Sequence, residues 1–581
     1  MRKVITIVFL CSIVIIIPNL SFADSATLNN GETTTSQQNI DGNGEFLTIS
    51  NNSTLNTGAT KPANVTGNNV DVTVESGSTI TSNKVSVFAD DTSDLTVTNS
   101  GTIYATGTNA IDAKGTTDAT IVNNSGGTIS SNRNTIRISK TGSNNTTGMT
   151  ITNSGTITAR SSGSAIFGTG ANNTASITNE SGGEMTNSDS SNATVRVGAN
   201  STIVNSGSIK NGVGNDAIKL YGNNSTITLK DGGIVVGKID ALLRTGSTLK
   251  FNHGVGQGYF YETEGDFTLQ DLDGNQIVKG SAGSVGQGGS ETLDELLSYK
   301  SMNLRQFFNN YKNSEEVNEK KIWGDVYVSK LERDAHKSNL AIEYDLFNFG
   351  VNLINPMNNA NFVIAFEGGS QDFVKDHKID YKNISTGIYL PQKNNSYFDL
   401  DAFILAGITL KEGQRTILTN TTTSGKLNID SDYETYEIHT GLKKNNLSLI
   451  PDVGLAASYS MTPNYDESKY FSWNDRHIGN FSIFFSDDYN LFKNNGSKLL
   501  LGWTLDLRSM IGDKKQVYSI NRTSATYEQD NDLTKEISLL ANIGYEKRFS
   551  ENSEISFTLD IKDTNQYAKS IGANISLSSR F

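Results

Sequence analysis

One six-residue phrase, TNSGTI, appears at 98–103 and again at 152–157, and its relatives fill the first half of the chain. They are VESGSTI (74–80), NNSGGTI (123–129), NESGGEM (179–185), VNSGSI (204–209) and, in weaker form, LKDGGIV (229–235). The central glycines return every 24 to 29 residues, the length of one supersecondary unit in a repeat architecture. A second shared piece accompanies the phrase: NAIDAKG (109–115), NTIRISKTG (134–142), SAIFGTG (164–170), ATVRVGAN (193–200) and DAIKLYGNN (216–224). Each unit therefore offers short β-branched segments separated by Asn, Ser and Gly, residues that accept turns and left-handed backbone.

No unit has enough apolar side chains to fold alone. Stacked coil upon coil, the Ile and Val of successive strands would share one interior while the backbone hydrogen-bonds between coils. About eight coils at roughly 4.8 Å each predict a solenoid rod of about 40 Å. The chain has no Pro between Pro62 and Pro356, as continuous strand stacking requires. Polar composition alone would also suit disorder, but the periodic Ile and Val favour coils. The Asn of the phrase is read as a buried ladder, each side chain bonding the next coil's turn.

Chemical readings of this half are weak. A nucleophilic Ser needs a base, and the one histidine here, His253, lies outside the phrase series. DLDGN (271–275) misses the calcium-loop spacing and reads as an Asp-Gly hairpin turn. SVGQGG (284–289) reads as linker. A net charge of -13, with no Lys/Arg run after residue 24, excludes a nucleic-acid surface. No cofactor is expected.

At 290 the pattern changes. ETLDELLSYKSMNLRQFFNNYKN opens with Thr292 and Glu295 at capping-box spacing. Leu293, Leu296, Leu297, Leu304, Phe307 and Tyr311 then follow a helical period. From Ile322 the period becomes two. In LLLGWTLDLR, Leu499, Leu501, Trp503, Leu505 and Leu507 oppose Leu500, Gly502, Thr504, Asp506 and Arg508. SEISFTLDIK (553–562) and VGLAASYSM (453–461) alternate likewise.

Twelve such segments begin near Ile322, Tyr344, Asn361, Asn383, Tyr397, Tyr433, Leu447, His477, Lys498, Leu533, Glu554 and Lys569. An even number of two-faced strands predicts a closed transmembrane barrel with an apolar exterior and a wet lumen, rather than a soluble sandwich. The chain closes on SIGANISLSSRF, with Ile571, Ala573, Ile575, Leu577 and Phe581 on one face. At the other end, Arg2 and Lys3, the apolar run 4–17 and Ser21-Phe22-Ala23 read as a signal peptide cleaved between Ala23 and Asp24. The single cysteine, Cys11, falls inside it, so the mature chain has no disulfide or thiolate chemistry.

Signal peptide, polar repeat, helix and terminal barrel together resemble a classical monomeric autotransporter of type V secretion. The resemblance implies an all-β chain: a right-handed parallel β-helix passenger, a linker helix inside the pore, and a 12-stranded outer-membrane barrel. It implies segments 1–23 (signal peptide), 24–280 (passenger), 281–318 (linker and pore helix, roughly 292–318) and 319–581 (barrel). It makes Trp323-Gly324 the opening of the first barrel strand, although Asp325 stands where a basic residue is common. It makes Ile575, Leu577 and Phe581 the signal read by periplasmic export and barrel-assembly machinery.

Some members cut their passenger at an Asn-Asn bond in the pore. Asn309-Asn310 lies too far upstream and Asn318 precedes Glu319, so no such cleavage is expected. The resemblance also makes 246–279 a seed for passenger folding. The implied function is surface display of a non-enzymatic passenger, for adhesion to other cells or to copies of itself. The alternatives are a glycosidase-like passenger, poorly served by few aromatics, and a porin-like channel, which the helix argues against.

Overall fold

The computed structural model describes residues 25–241, 243–275, 277, 282–286, 293–313, 321–334, 343–356, 360–391, 400–445, 451–468, 470–494, 496–513, 515–520, 526–530 and 535–580. The segment 1–23 expected to be a signal peptide, with Ala23 and Asp24 at its expected cleavage point, and also Thr292, Asn318 and Phe581 lie outside them. The chain divides into two compact units. The first is Met1–Ile227 with Ala241–Ser247, and the second is Thr228–Asp240 with Thr248–Phe581.

The first unit is the solenoid. Each coil gives one short strand to each of three parallel sheets, and the repeats fall in exact register. In the first sheet Val97, Ile121, Ile151, Ile177 and Ile203 are successive partners. In the second, Ile103, Ile129, Ile157, Met185 and Ile209 are. In the third, Ile111, Ile136, Ile166, Val195 and Ile218 are. All fifteen side chains are buried, none more than 1% exposed. Burying each contributes roughly 1.5–3 kcal/mol. Ordering the backbone costs about 1–2 kcal/mol for every residue of a coil. A lone coil cannot meet that cost, so the sequence must repeat.

The recurring Asn forms the ladder. Asn99 Nδ2 donates to Asn123 Oδ1, Asn123 to Asn153, Asn153 to Asn179, and Asn179 to Asn205, each at 2.8 Å. Each Nδ2 also reaches carbonyls at its own turn and the next, as Asn153 does at Gly155 (3.1 Å) and Glu184 (3.3 Å). A buried amide is tolerable only when satisfied in this way. The ladder begins at Asn99 because its partner in the preceding coil is Val74, which leaves Asn99 Oδ1 buried without a partner.

The phrase's glycines have two distinct roles. Gly155 sits where a Cβ would come within 2.3 Å of Gly127 O and 2.5 Å of Asn124 O, so close backbone approach forces glycine. Gly126 and Gly182, the extra glycines of the longer variants, have φ of 81° and 84°, a left-handed conformation that glycine adopts without cost.

In the second unit parallel coiling continues briefly, with Lys238–Asp240 paired to Thr263–Glu264. Strand Phe267–Asp271 ends just before Asp273-Gly274, where a hairpin turn is expected; the Asp271 carboxylate accepts from the backbone N–H of Asp273 (2.8 Å) and Asn275 (3.1 Å), and residues 276 and 278–281 lie outside the described residues. The strand Ala282–Ser284 pairs instead with Tyr259–Tyr261.

Next come helix α1 (Leu293–Asn313) and twelve antiparallel strands: β1 Lys321–Arg333, β2 Tyr344–Pro356, β3 Asn361–Phe373, β4 His377–Leu390, β5 Asp401–Thr419, β6 Lys426–Lys444, β7 Asp452–Thr462, β8 Arg476–Asn494, β9 Ser497–Gly512, β10 Lys535–Ser550, β11 Ser553–Thr564 and β12 Ala568–Arg580. Strand β1 pairs with both β2 and β12, which closes the barrel and leaves no sheet edge in lipid.

The alternating pattern located most of these strands to within a few residues. Two starts shift clearly: β4 begins at His377 rather than Asn383 and β6 at Lys426 rather than Tyr433, while the starts expected at Tyr397, Leu447 and Leu533 lie outside the described residues. Alternation marks the lipid-crossing part of a strand, about ten residues. Strands β5 and β6 run for 19 residues each, into a region where both faces carry polar groups, such as exposed Gln414 and buried Arg415.

Candidate functional site: a helix held inside the barrel

The barrel wall has two chemistries. Outward side chains form an apolar belt: Val326, Phe349, Ile404, Leu539, Ile575 and Leu577 are between 52% and 58% exposed. A belt of this kind on a closed barrel places the domain in a lipid bilayer, and its architecture is that of outer-membrane barrels. Inward positions hold Asp325, Arg333, Lys411, Glu437, Asp506, Arg508 and Glu536, all buried. Asp506 and Arg508 lie on the lumen face as the pattern of LLLGWTLDLR predicts.

The lumen is not open water. Helix α1 occupies it and is buried well beyond one stripe: besides Leu296, Leu297, Leu304, Phe307 and Tyr311, it buries Glu295, Ser298, Lys300, Ser301 and Arg305, while Asn303, Gln306 and Asn310 are half-buried. An apolar stripe accounts for the first set only. The second set is explained by the wall it meets.

Lys300 Nζ donates to Glu437 Oε1 at 2.9 Å and to Thr409 Oγ1 at 2.7 Å. Arg305 pairs with Asp506 and lies 4.7 Å over the ring of Phe484. Near the start of α1, Glu295 lies 3.4 Å from Arg333 Nε and accepts from the Tyr344 hydroxyl. Near its end, Lys443 Nζ donates to Asn309 Oδ1 at 3.1 Å. These partners sit on β1, β2, β5, β6 and β9, so the helix is tied around much of the circumference. Apolar contacts fill the gaps. Tyr299 and Met302 pack with Leu331, Leu346 and Tyr381, and Phe308 stacks on Tyr389 and Phe403 at 4.6 and 4.7 Å.

Ser458, His439 and Glu437 stand in hydrogen-bond sequence, at 3.0 and 3.5 Å. Glu437 is already held by Lys300 and Thr409, and Ser458 is buried, so the trio braces the wall.

The last coil of the second unit meets the extended β5–β6 hairpin. Tyr259 and Phe260 pair in parallel with Leu418 and Thr419. Asn420 Nδ2 donates to the carbonyls of Gly237 (2.9 Å) and Glu262 (2.8 Å), while the Glu262 N–H returns to Asn420 Oδ1 (2.8 Å). Phe260 and Val285 share an apolar cluster with Ile417, Ile429, Phe471, Trp473, Tyr518 and Ile520.

The motif residues fall at definite places. Trp323 points inward, 1% exposed, with its ring edge-on to Tyr311 at 5.9 Å. A Cβ on Gly324 would lie 3.1 Å from Leu353. Asp325 is buried and accepts from Asn574. Ile575 and Leu577 face lipid. Asn309 and Asn310 lie within α1, where Asn310 Oδ1 accepts from Gln306 Nε2 at 3.4 Å. The sequence reading missed Lys300, Arg305, Glu437 and Asn420. Charges inside an otherwise apolar helix were the available signal for the first two; nothing local marked the others.

No family model matches the chain, and no curated protein matches it. Among solved structures, the translocator domain of autotransporter NalP from Neisseria meningitidis is similar over 51% of this chain and 100% of that one, at 9% identity and TM-score 0.34. The transport unit of autotransporter AIDA-I from Escherichia coli covers 49% and 98%, at 8% and 0.30. The beta domain of the Bordetella autotransporter Brka covers 45% and 100%, at 8% and 0.31. Among the described residues the chain itself combines a parallel β-solenoid, a helix enclosed by a barrel wall and a closed, lipid-facing, twelve-stranded barrel.

Proposed function

We propose that the chain delivers its solenoid to the cell surface through its own outer-membrane barrel and uses that solenoid, without catalysis, for adhesion or self-association. The segments are a signal peptide at 1–23, passenger at 24–280, linker and pore helix at 281–318 and barrel at 319–581. The observation that carries this reading is α1. A helix tied into the lumen by Lys300–Glu437 and Arg305–Asp506 is what remains when the chain N-terminal to it has passed through the pore. A porin would keep that path open. The partners proposed are the lipid bilayer, the export and barrel-assembly machinery, which would read Ile575, Leu577 and Phe581, and other cell surfaces.

The passenger's coils favour binding over catalysis. The Asn of their recurring phrase is spent on the ladder, and they hold no histidine to activate a Ser. Chain that stays intact at Asn309-Asn310 on a denaturing gel, after surface exposure, is the expected result for an uncleaved passenger. The adhesion reading is tested by expressing the chain on cells lacking surface adhesins and scoring aggregation and attachment against a deletion of 60–240. Equal scores for both would remove it.

A further inference from the structure

Residues 25–247 include only five aromatics: Phe46, Phe88, Tyr104, Phe167 and Tyr221. Four of them lie under a cation. Lys61 Nζ is 3.1 Å from the Phe88 centroid, and the Arg160 guanidinium is 4.7 Å from that of Tyr104. Arg196 is 4.5 Å from Phe167 and 3.4 Å from Tyr221, and Arg244 is 5.8 Å from Tyr221. These last four residues form one cluster. Phe167 and Arg196 are register partners on adjacent strands of the third sheet, Arg196 pairs in turn with Lys219, and Tyr221 follows two residues later. The cluster thus crosses the sheet's outward face over two coil steps, about 10 Å.

Its two arginines lack acids. Neighbouring cations are matched: Arg137 to Asp112 at 3.2 Å, Lys210 to Glu184 at 3.3 Å, Lys219 to Asp216 at 2.7 Å. Among the described residues, neither Arg196 nor Arg244 has an ion pair, and the Nε of each is buried without a hydrogen-bond partner. Burial holds the Arg196 guanidinium below its ordinary value, a penalty that an anion would relieve. A guanidinium over a ring face keeps its in-plane N–H groups for another partner, and paired N–H groups of this kind suit capture of an oxyanion. Beside Arg244, Leu243 is 86% exposed and held at φ 64°, a strained conformation for a side chain that packs against nothing.

The geometry points to an anion subsite at Phe167, Arg196, Tyr221 and Arg244 that takes the carboxylate or sulfate groups of an acidic polysaccharide. A peptide is disfavoured because strands Ile166–Gly168 and Val195–Val197 are paired on both sides, so no open edge exists for an added strand. The turns past Val195–Val197, Asp216–Leu220 and Lys238–Asp240 instead expose Asn200, Asn223 and Thr245, polar side chains suited to sugar hydroxyls. This inference names the partner class for the adhesive reading and rests on it, but its test does not need display on cells.

Full-length protein purified in detergent is passed over beads carrying alginate, dextran sulfate, neutral dextran or poly-L-glutamate. Retention on alginate or dextran sulfate, lost as salt rises and absent on neutral dextran, is expected, and the two acidic arms separate carboxylate from sulfate. Arg196→Ala with Arg244→Ala should weaken retention by about tenfold or more. Arg196→Lys, which keeps charge and stem but loses the fork, should weaken it by about threefold. The exposed Arg133→Ala should change nothing. Failure to bind either acidic glycan, equal binding by the double variant at unchanged protease resistance, or equal binding of poly-L-glutamate would each overturn the proposal. Bead retention without cell attachment would instead break the adhesive reading and leave the subsite standing.

Discussion

Both halves of this chain bury polar groups, and they do so in opposite ways. The solenoid's ladder is a row of buried neutral amides, one to a coil from Asn99 to Asn205, each satisfied by its own copy one coil away. The lumen buries charges, each paired with a partner far along the chain: Lys300 with Glu437, Arg305 with Asp506. The first device is additive and tolerates loss at its end. The second consists of unique contacts, where removing one partner strands the other in a dry interior. A repeat therefore supplies a frame of any length, whereas a lumen of specific pairs fixes one object in one place.

The comparison breaks most completely if α1 is not the plug. Deleting 290–320 should convert a closed barrel into a conducting one in single-channel recordings; an unchanged, silent barrel would mean that something else fills the pore. Next in size, Lys300→Met should destabilise the barrel by about 3–5 kcal/mol by leaving Glu437 unpaired. Adding Glu437→Gln should recover much of that loss, read from the unfolding midpoint in detergent. If both single changes are harmless, the lumen is as forgiving as the coils.

In the ladder, Asn153→Ala breaks bonds to both neighbours and should cost about 2–3 kcal/mol. Asn99→Ala, at the terminus where Oδ1 already lacks a partner, should cost about 1 kcal/mol less. Proteolysis of the solenoid ranks the two, and equal losses would contradict a ladder with an end.

A smaller effect is expected at His253. Burial, helped by Lys375 and opposed by Asp231, pushes this imidazole down to about 3, so it is folded in neutral form, with the Tyr261 hydroxyl 3.1 Å from its Nε2. The unfolded chain takes up the proton first. The last coil should therefore hold its full stability above about pH 6.5 and lose it progressively as pH falls toward 3. Amide exchange over 248–262 measures this, and His253→Phe should flatten the profile. The smallest effect is Lys210→Ala. Its pair with Glu184 is partly exposed, and its loss should stay within about 1 kcal/mol in the same proteolysis assay.

Much of the frame was legible in the order of residues. The spacing of NSG phrases located the coils, and Asn99, Asn123 and Asn153 could be placed as a ladder because a period forces equivalent residues into equivalent positions. Leu501, Leu507, Asp506 and Arg508 could be assigned to opposite faces of β9 for the same reason. What escaped was non-periodic. The extra length of β5 and β6 carries no alternation against lipid, and nothing local marks Glu437 as the partner of Lys300 or Asn420 as that of Gly237.

The sequence by itself determined that this chain must stack coils and close a barrel, because each repeat and each two-faced strand has only one way to hide its apolar side. Only the tertiary structure decided which charges meet in the lumen, which hairpin receives the last coil and which arginines are left without an acid. Those contacts join residues more than a hundred positions apart, as Lys300 joins Glu437 and Asn420 joins Gly237. No period links such residues, so their pairing is fixed by closure of the barrel around the helix.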